Sequence, residues 1–381
     1  MVNETKGELM IKSLEVKGLN TKVDADLEFE PDLNIITGAN GSGKTTLLKL
    51  MWYLISGQID RALYITFEFV SIVTDQFELS IAPQDNNREN FFIQWSFSDF
   101  KEYGSGDQVT HYTAVDTECS QLNAYIAQTT ESSIFFPSFR RIEGGFSHIH
   151  QNRRMARRRR FKAEARDPFQ DVMTQFAEQQ SNDDHKFVSS FSMTDIEELV
   201  PRKYLDISEA INQMYADLLR DLKGKIFSDP MPEHQVASSD LEQIRLTVDR
   251  ITNEEEALRN PLTALNDFVD GILKQRIAVT EKVTLGEESS AKSSDELSSG
   301  EQQMLSFLCY NAFSSNTTIF IDEPELSLHI NWQRILIPVL FEQRTGNQFF
   351  MATHSPFIYT NYPSREFLIG PDRGGEIDAD T

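Results

Sequence analysis

Leu33-Asn34-Ile35-Ile36-Thr37-Gly38-Ala39-Asn40-Gly41-Ser42-Gly43-Lys44-Thr45-Thr46 sets the architecture of this chain. Residues 33–37 form a short apolar run ending in glycine, which predicts a buried strand. Over residues 45–56, Leu47, Leu48, Leu50, Met51, Leu54 and Ile55 recur at helical spacing, and Gly57 closes the segment. The turn between strand and helix fits G-x-x-x-x-G-K-[ST] from Gly38 to Thr45. Its glycines let backbone N–H groups turn inward on phosphates, and the helix start adds positive potential. Lys44 is placed to reach the β and γ oxygens of ATP, and the Thr45 hydroxyl to hold Mg²⁺. Gly38, Asn40, Gly41, Ser42, Gly43, Lys44, Thr45 and Thr46 are therefore the nucleotide-binding candidates.

Upstream, residues 10–19 and 26–30 alternate apolar with polar and read as strands. Downstream, residues 63–73, 77–82 and 91–97 are strand-like, and Asp85-Asn86-Asn87 separates the last two as in an antiparallel meander. Residues 133–137 form another apolar run. From about residue 166 to 277 the period changes to 3.6, with Ile211, Met214, Tyr215, Leu218 and Leu222 on one stripe. Breaks are expected at Asp229-Pro230-Met231-Pro232 and at Asn260-Pro261, and a Ser/Glu-rich linker at 286–296. Helix–strand alternation then returns, with helices at 300–312 and 330–342 and strands at 317–321, 348–353 and 366–369. The pattern predicts an α/β fold: a P-loop core with an antiparallel β subdomain and a helical insert. The expected division is 1–145 for the first part of the core, 146–284 for a basic arm and helical insert, and 285–381 for the rest of the core.

Two further segments carry chemistry. Thr318-Ile319-Phe320-Ile321 is strand-forming and ends in Asp322-Glu323. After a P-loop, Asp322 is expected to bind Mg²⁺ through water and Glu323 to polarise an attacking water. Without the P-loop the same residues would read as a strand ending in a solvated acidic turn. In Leu297-Ser298-Ser299-Gly300-Glu301-Gln302-Gln303, Ser298 and the following amides open a second helix and offer a second anion site. Ser298 with Glu301 also satisfies a capping box unaided. Both readings are expected to hold, the cap as scaffold and the exposed hydroxyl as a γ-phosphate ligand.

That segment resembles the ABC-ATPase signature Leu-Ser-Gly-Gly-Gln, with Ser299 replacing a glycine and Glu301 the glutamine, as in RecF-like and SMC-like ATPases. The resemblance implies that Ser298, Ser299, Gly300 and Glu301 meet the nucleotide of an opposite copy, in a head-to-tail dimer or a larger assembly. Pro324-Glu325-Leu326-Ser327-Leu328-His329 looks like the D-loop of the overcoming-lysogenization-defect (OLD) group, with His329 an expected interface residue. Met351-Ala352-Thr353-His354-Ser355-Pro356 looks like the switch region, which implies that His354 senses the γ-phosphate. The wording Phe135-Phe136-Pro137-Ser138-Phe139-Arg140-Arg141-Ile142-Glu143 resembles the ATPase subunit of PARIS-type anti-phage systems, and equally that of retron-associated or Septu-like pairs. It is also the candidate Q-loop. The resemblance spans about residues 8–145 and 285–370. It implies a sensor ATPase controlling a separate effector, a TOPRIM-type nuclease in the PARIS case, since the residues after His354 are read as too few for such a domain.

Composition bounds the alternatives. The chain has 381 residues, 39% hydrophobic and 25% charged, which is ordinary for a globular protein. No apolar run approaches the roughly 20 residues that span a membrane. Two cysteines and an opening Met1-Val2-Asn3-Glu4 without basic or apolar signal regions lead to an expected cytoplasmic location. The net charge of −23 argues against general nucleic-acid binding. Residues 140–166 nevertheless carry ten Lys/Arg and two acids. Arg153-Arg154 and Arg157 to Arg160 within it read either as a solvated linker or as an arm for nucleic acid or an acidic phage protein. A RecF-like ATPase acting on DNA in repair is the alternative function. A transporter subunit is disfavoured by the helical insert.

Overall fold

The computed structural model describes residues 10–84, 88, 90–97, 110–113, 117–130, 132–138, 175–182, 184–188, 193–227, 238–268, 277–279, 283–285 and 298–373. Two six-stranded sheets dominate. The first contains β1 (Ile11–Leu19), β2 (Val23–Glu28), β4 (Phe69–Thr74), β5 (Phe77–Pro83), β6 (Asn90–Phe97) and β7 (Thr110–Thr113). Its order is β2-β1-β4-β5-β6-β7 and every pairing is antiparallel. The second contains β3 (Leu33–Thr37), β8 (Ser133–Phe136), β9 (His185–Phe187), β12 (Thr318–Asp322), β13 (Gln348–Ala352) and β14 (Glu366–Leu368). Its order is β14-β3-β13-β12-β8-β9 and every pairing is parallel. β10 (Ile277–Val279) pairs antiparallel with β11 (Val283–Leu285) in a separate two-stranded sheet.

The central parallel strands β3, β13, β12 and β8 are buried at every position and mostly apolar, because both faces are covered. Ile36, Phe135, Phe320 and Phe350 face a core shared with the antiparallel sheet, whereas Ile35, Phe136, Ile321 and Met351 face a second core. Helix α1 (Lys44–Ile55) lies in the first core, with Leu47, Leu50, Met51, Trp52 and Leu54 wholly buried. After the short α2 (Ile59–Ala62), α3 (Thr117–Thr129) adds Cys119, Leu122 and Ile126 to it. The second core lies under α6 (Ser299–Ala312), α7 (Ile330–Glu342) and α8 (Pro356–Tyr359). The long helices α4 (Met193–Phe227) and α5 (Ser238–Phe268) reach it through Ile196, Val200 and Leu265. Gln348 ties the two sheets together. Its amide donates to Ile11 O and Glu30 O at 2.9 Å each, and its carbonyl accepts from Ile11 N at 2.9 Å.

Four expectations require correction. Residues 63–68 are not strand: Arg88 donates to Leu63 O, Ile65 O and Phe67 O at 3.3, 2.7 and 2.5 Å, so a side chain replaces the strand ladder there. The second strand starts at Val23 and ends at Glu28, displaced from residues 26–30. Pro261 does not break a helix; α5 runs through it, with Leu262, Ala264 and Leu265 buried and Asn260 bonded to Glu342 O and Gln343 O. That packing outweighs the lost backbone bond. Finally, 146–284 is not purely insert. His185–Phe187 supplies the edge strand of the parallel sheet, and the buried His185 ring bridges Thr130 Oγ1 at 3.1 Å and Ser133 Oγ at 2.8 Å. Of the helical stripe, Ile211 is covered and Tyr215 exposed. The basic arm, the Asp229–Pro232 break, the linker at 286–296 and residues 139–143 of the candidate Q-loop lie outside the described residues.

Candidate functional site

At the carboxyl edge of the parallel sheet, β3 delivers the glycine-rich loop, β12 the two acids, and β13 the histidine. Open parallel sheets bind ligands at this edge. Gly38 admits no side chain, since a Cβ would lie 2.3 Å from Ile369 O and 2.7 Å from Ser42 Oγ. Gly41 and Gly43 take φ of +78° and +95°, the left-handed region that glycine adopts without strain. Asn40 and Gly41 form the exposed crest. No side chain caps the first turn of α1, so the amides of its start face outward uncapped.

Lys44 is buried and folds back over its own loop, donating to Gly38 O at 2.9 Å and Ala39 O at 3.0 Å. Burial lowers its pKa, opposed by the charges of Glu323, Asp322 and Glu325. The Thr45 hydroxyl donates to Asp322 Oδ1 at 3.0 Å. Thr46 Oγ1 accepts from Asn20 Nδ2 at 3.2 Å. Asp322 ends β12 almost fully buried, and its Oδ2 has no hydrogen-bond partner among the described residues; Ser42 Oγ is in the same position. A divalent cation beside Thr45 Oγ1 and Asp322 Oδ2, and an anion on the loop at Ser42, would satisfy these atoms. The residues therefore fit a magnesium–nucleotide ligand.

Glu323 stands next to Asp322 in a left-handed conformation, φ +50°, held by its N–H donating to Ala352 O at 2.8 Å. Such a backbone costs roughly 1–3 kcal/mol and persists where surroundings enforce it. Beyond it, Glu325 accepts from Thr353 Oγ1 at 2.8 Å and from the N–H of His354 at 2.7 Å. Burial, then the charge of Lys44, hold the His354 pKa below the usual imidazole value, against Glu325 and Asp322. Lys44, Thr45, Asp322, Glu323 and His354 thus share one electrostatic neighbourhood.

Ser298 to Glu301 stand apart. Both halves of the capping box are made: Ser298 N donates to Glu301 Oε2 at 2.7 Å, and Glu301 N to Ser298 Oγ at 3.4 Å. Ser298 and Ser299 are exposed. Among the described residues no hydrogen bond joins this helix start to the glycine-rich loop. It is joined instead to the 324–328 loop. A Cβ on Gly300 would lie 2.6 Å from Ser327 O, and Gln303 Nε2 donates to Pro324 O at 2.9 Å. His329 caps α7, its Nδ1 accepting from Asn331 N at 3.3 Å.

Three participants carry no local sequence signal. Asn20 reaches Thr46 from the β1–β2 turn, Glu325 reaches back to β13, and the segment after β14 covers the loop through Asp372 O, which accepts from Ala39 N at 3.0 Å. Only the three-dimensional topology brings them in.

The family model described as AAA ATPase domain matches residues 10–359. Among curated relatives, the chain is 43% identical over 63 residues to Endonuclease GajA of Bacillus cereus (strain VD045), a stretch covering 15% of this chain and 11% of that protein. It is 39% identical over 51 residues to DNA replication and repair protein RecF of Desulfitobacterium hafniense (strain DSM 10664 / DCB-2), covering 13% of this chain and 14% of that protein. The matched stretches are thus a small fraction of those relatives' length. A crystal structure of the SmcHead bound to the C-winged helix domain of ScpA aligns over 92% of each chain at 12% identity, with a TM-score of 0.42. No helix among the described residues is long and apolar enough to cross a membrane.

Proposed function

The chain belongs to the AAA ATPase domain family, and on that premise we propose that it binds and hydrolyses ATP at the carboxyl edge of its parallel sheet. The observation carrying this reading is the Thr45–Asp322 hydrogen bond with the unpartnered Asp322 Oδ2 beside it. On nucleotide binding, Lys44 exchanges the carbonyls of Gly38 and Ala39 for the β and γ oxygens, and the amides of residues 41–46 take the phosphates. Thr45 and Asp322 would hold Mg²⁺, which would supply neutralisation of charge on the transferring phosphoryl group. Glu323 orients and polarises the attacking water, and His354 donates to the γ-phosphate.

The site is completed by a second copy. Exposed Ser298 and Ser299, on a helix start held rigid by its capping box, supply the outer donors to the partner's nucleotide, and the exposed Leu326 and Ile330 flank the seam. In this reading the ATP-closed assembly, a cytoplasmic one, controls a separately encoded effector, a TOPRIM-type nuclease in an anti-phage system. The similarity over 63 residues to a protein named as an endonuclease, GajA, supports the link to nuclease action in that reading. The similarity to RecF over 51 residues supports a second reading, an ATPase acting on DNA. Stimulation of turnover by duplex DNA that vanishes at high salt selects the second; ATP-dependent co-elution with a nuclease selects the first.

Glu323→Gln tests the core assignment: it should bind ATP, turn over at least about a hundredfold more slowly, and accumulate as a closed assembly. Wild-type turnover removes the assignment. Mixing Ser298→Arg with Lys44→Ala protomers tests sharing, since independent activity in both variants is incompatible with it.

A further inference from the structure

Glu325 lies outside the set of groups expected to touch nucleotide, metal or water, yet both of its carboxylate oxygens are engaged beside them. One carboxylate oxygen accepts from the Thr353 hydroxyl at 2.8 Å and the other from the His354 backbone N–H at 2.7 Å. The two donors are adjacent residues at the end of β13, so the carboxylate grips the chain like a fork. Thr353 is wholly buried, and its Oγ1 in turn accepts from Ser355 N at 3.0 Å. Ser355 Oγ donates to Gln333 Oε1 at 2.6 Å, and Gln333 Nε2 donates to Leu328 O at 2.9 Å and Glu325 O at 3.4 Å. The ring of bonds therefore closes on the loop it started from.

The two donors meet separate oxygens, an arrangement that a carboxylate provides and that an amide keeps only if the Thr353 hydroxyl turns to accept from its NH₂. The loop 323–328 is itself tethered, Glu323 N donating to Ala352 O at 2.8 Å and Gln303 Nε2 to Pro324 O at 2.9 Å, so the carboxylate grips β13 from a fixed base. From this closed ring we infer that Glu325 is a positioning residue, which fixes the backbone of His354, and hence the reach of its imidazole, relative to the water-polarising Glu323 two residues upstream. The inference rests on the assignment of His354 proposed above. Displacing a group by about 1 Å at a reacting centre costs on the order of a hundredfold in rate, whereas substrate affinity set by the glycine-rich loop is untouched.

The test compares Glu325→Ala, Glu325→Gln, Thr353→Val, His354→Ala and the double variant Glu325→Ala/His354→Ala in the full chain. Turnover is measured at saturating Mg-ATP, and ATP affinity separately by fluorescent-nucleotide binding. Glu325→Ala should lose about ten- to a hundredfold in kcat with ATP affinity within about twofold of wild type. Thr353→Val, nearly isosteric, should lose several-fold in the same way. Glu325→Gln, able to bond both groups, should return to within about threefold. The double variant should be no slower than His354→Ala alone, because both act through one imidazole. A Glu325→Ala protein with normal kcat, a Gln variant as slow as the Ala one, losses that fall on affinity instead of kcat, or multiplicative losses in the double variant would each overturn the inference. If His354→Ala is slow while Glu325→Ala is normal, only this inference fails; if both turn over normally, the role of His354 fails with it.

Discussion

Thr45 and Asp322 are 277 positions apart in the chain, and the hydroxyl of one donates to the carboxylate of the other across 3.0 Å. Each arrives by a separate route, Thr45 in the first turn of the helix after β3 and Asp322 on the last residue of β12. The strand between them, β13, carries the histidine. Three strand ends therefore converge on one point without a loop longer than a few residues having to be placed.

Removing either member of that pair should change the metal requirement before it changes nucleotide affinity. Thr45→Ala and Asp322→Asn are expected to raise the Mg²⁺ concentration for half-maximal turnover by at least about tenfold. ATP binding in the presence of a chelator should stay close to wild type. A magnesium titration of ATPase rate, beside equilibrium binding with and without chelator, reads both.

Protonation of His354 gives a second expectation. Burial and the Lys44 charge keep its pKa below the ordinary value of about 6.5, so the ring is neutral at pH 7. Turnover should therefore hold as pH falls through 6.5 and decline only below it. In Lys44→Ala the loss of a positive neighbour should move the His354 titration upward, visible in histidine ring NMR shifts. For stability the unfolded chain binds the proton more readily, so this group's contribution is lost as pH falls from about 6.5 through the lower folded value.

Gly300→Ala should damage the fold locally, since the new Cβ would meet Ser327 O at 2.6 Å. Relief requires moving backbone, and a cost of about 1–3 kcal/mol is expected. Denaturant unfolding measures it. Ser299→Ala, at an exposed neighbour, should leave stability unchanged and is the control.

Arg88→Ala should cost about 2–3 kcal/mol, because one guanidinium serves three carbonyls and rests against the rings of Phe67 and Phe91. Arg88→Lys should recover less than half, an ammonium lacking the planar fork. The midpoint of urea unfolding distinguishes the three proteins.

These sites mark where sequence reading succeeded and where it did not. The strand and helix within residues 33–55 were legible because a strand buried on both faces is mostly apolar, and the tight turn between them needs glycine where φ is positive, at Gly41 and Gly43. The capping box at Ser298 was legible too, both partners lying within four positions. Residues 63–68 have strand composition and are not strand, since their carbonyl partners come from Arg88, about twenty positions on. His185–Phe187 is too short to show a period, and it pairs with β8 across some fifty residues. Glu325 looks like one more acid in an acidic turn until β13 is placed beside it.

The contact of Gly300 with Ser327 O leaves no slack between the start of α6 and the loop that begins at Pro324. In the proposed pair of chains, the end that would touch the neighbour's phosphates and the end proposed to position the chain's own histidine are then parts of one stiff lever. Occupancy of one proposed pocket would then be felt at the other as a displacement carried through the Gly300–Ser327 approach.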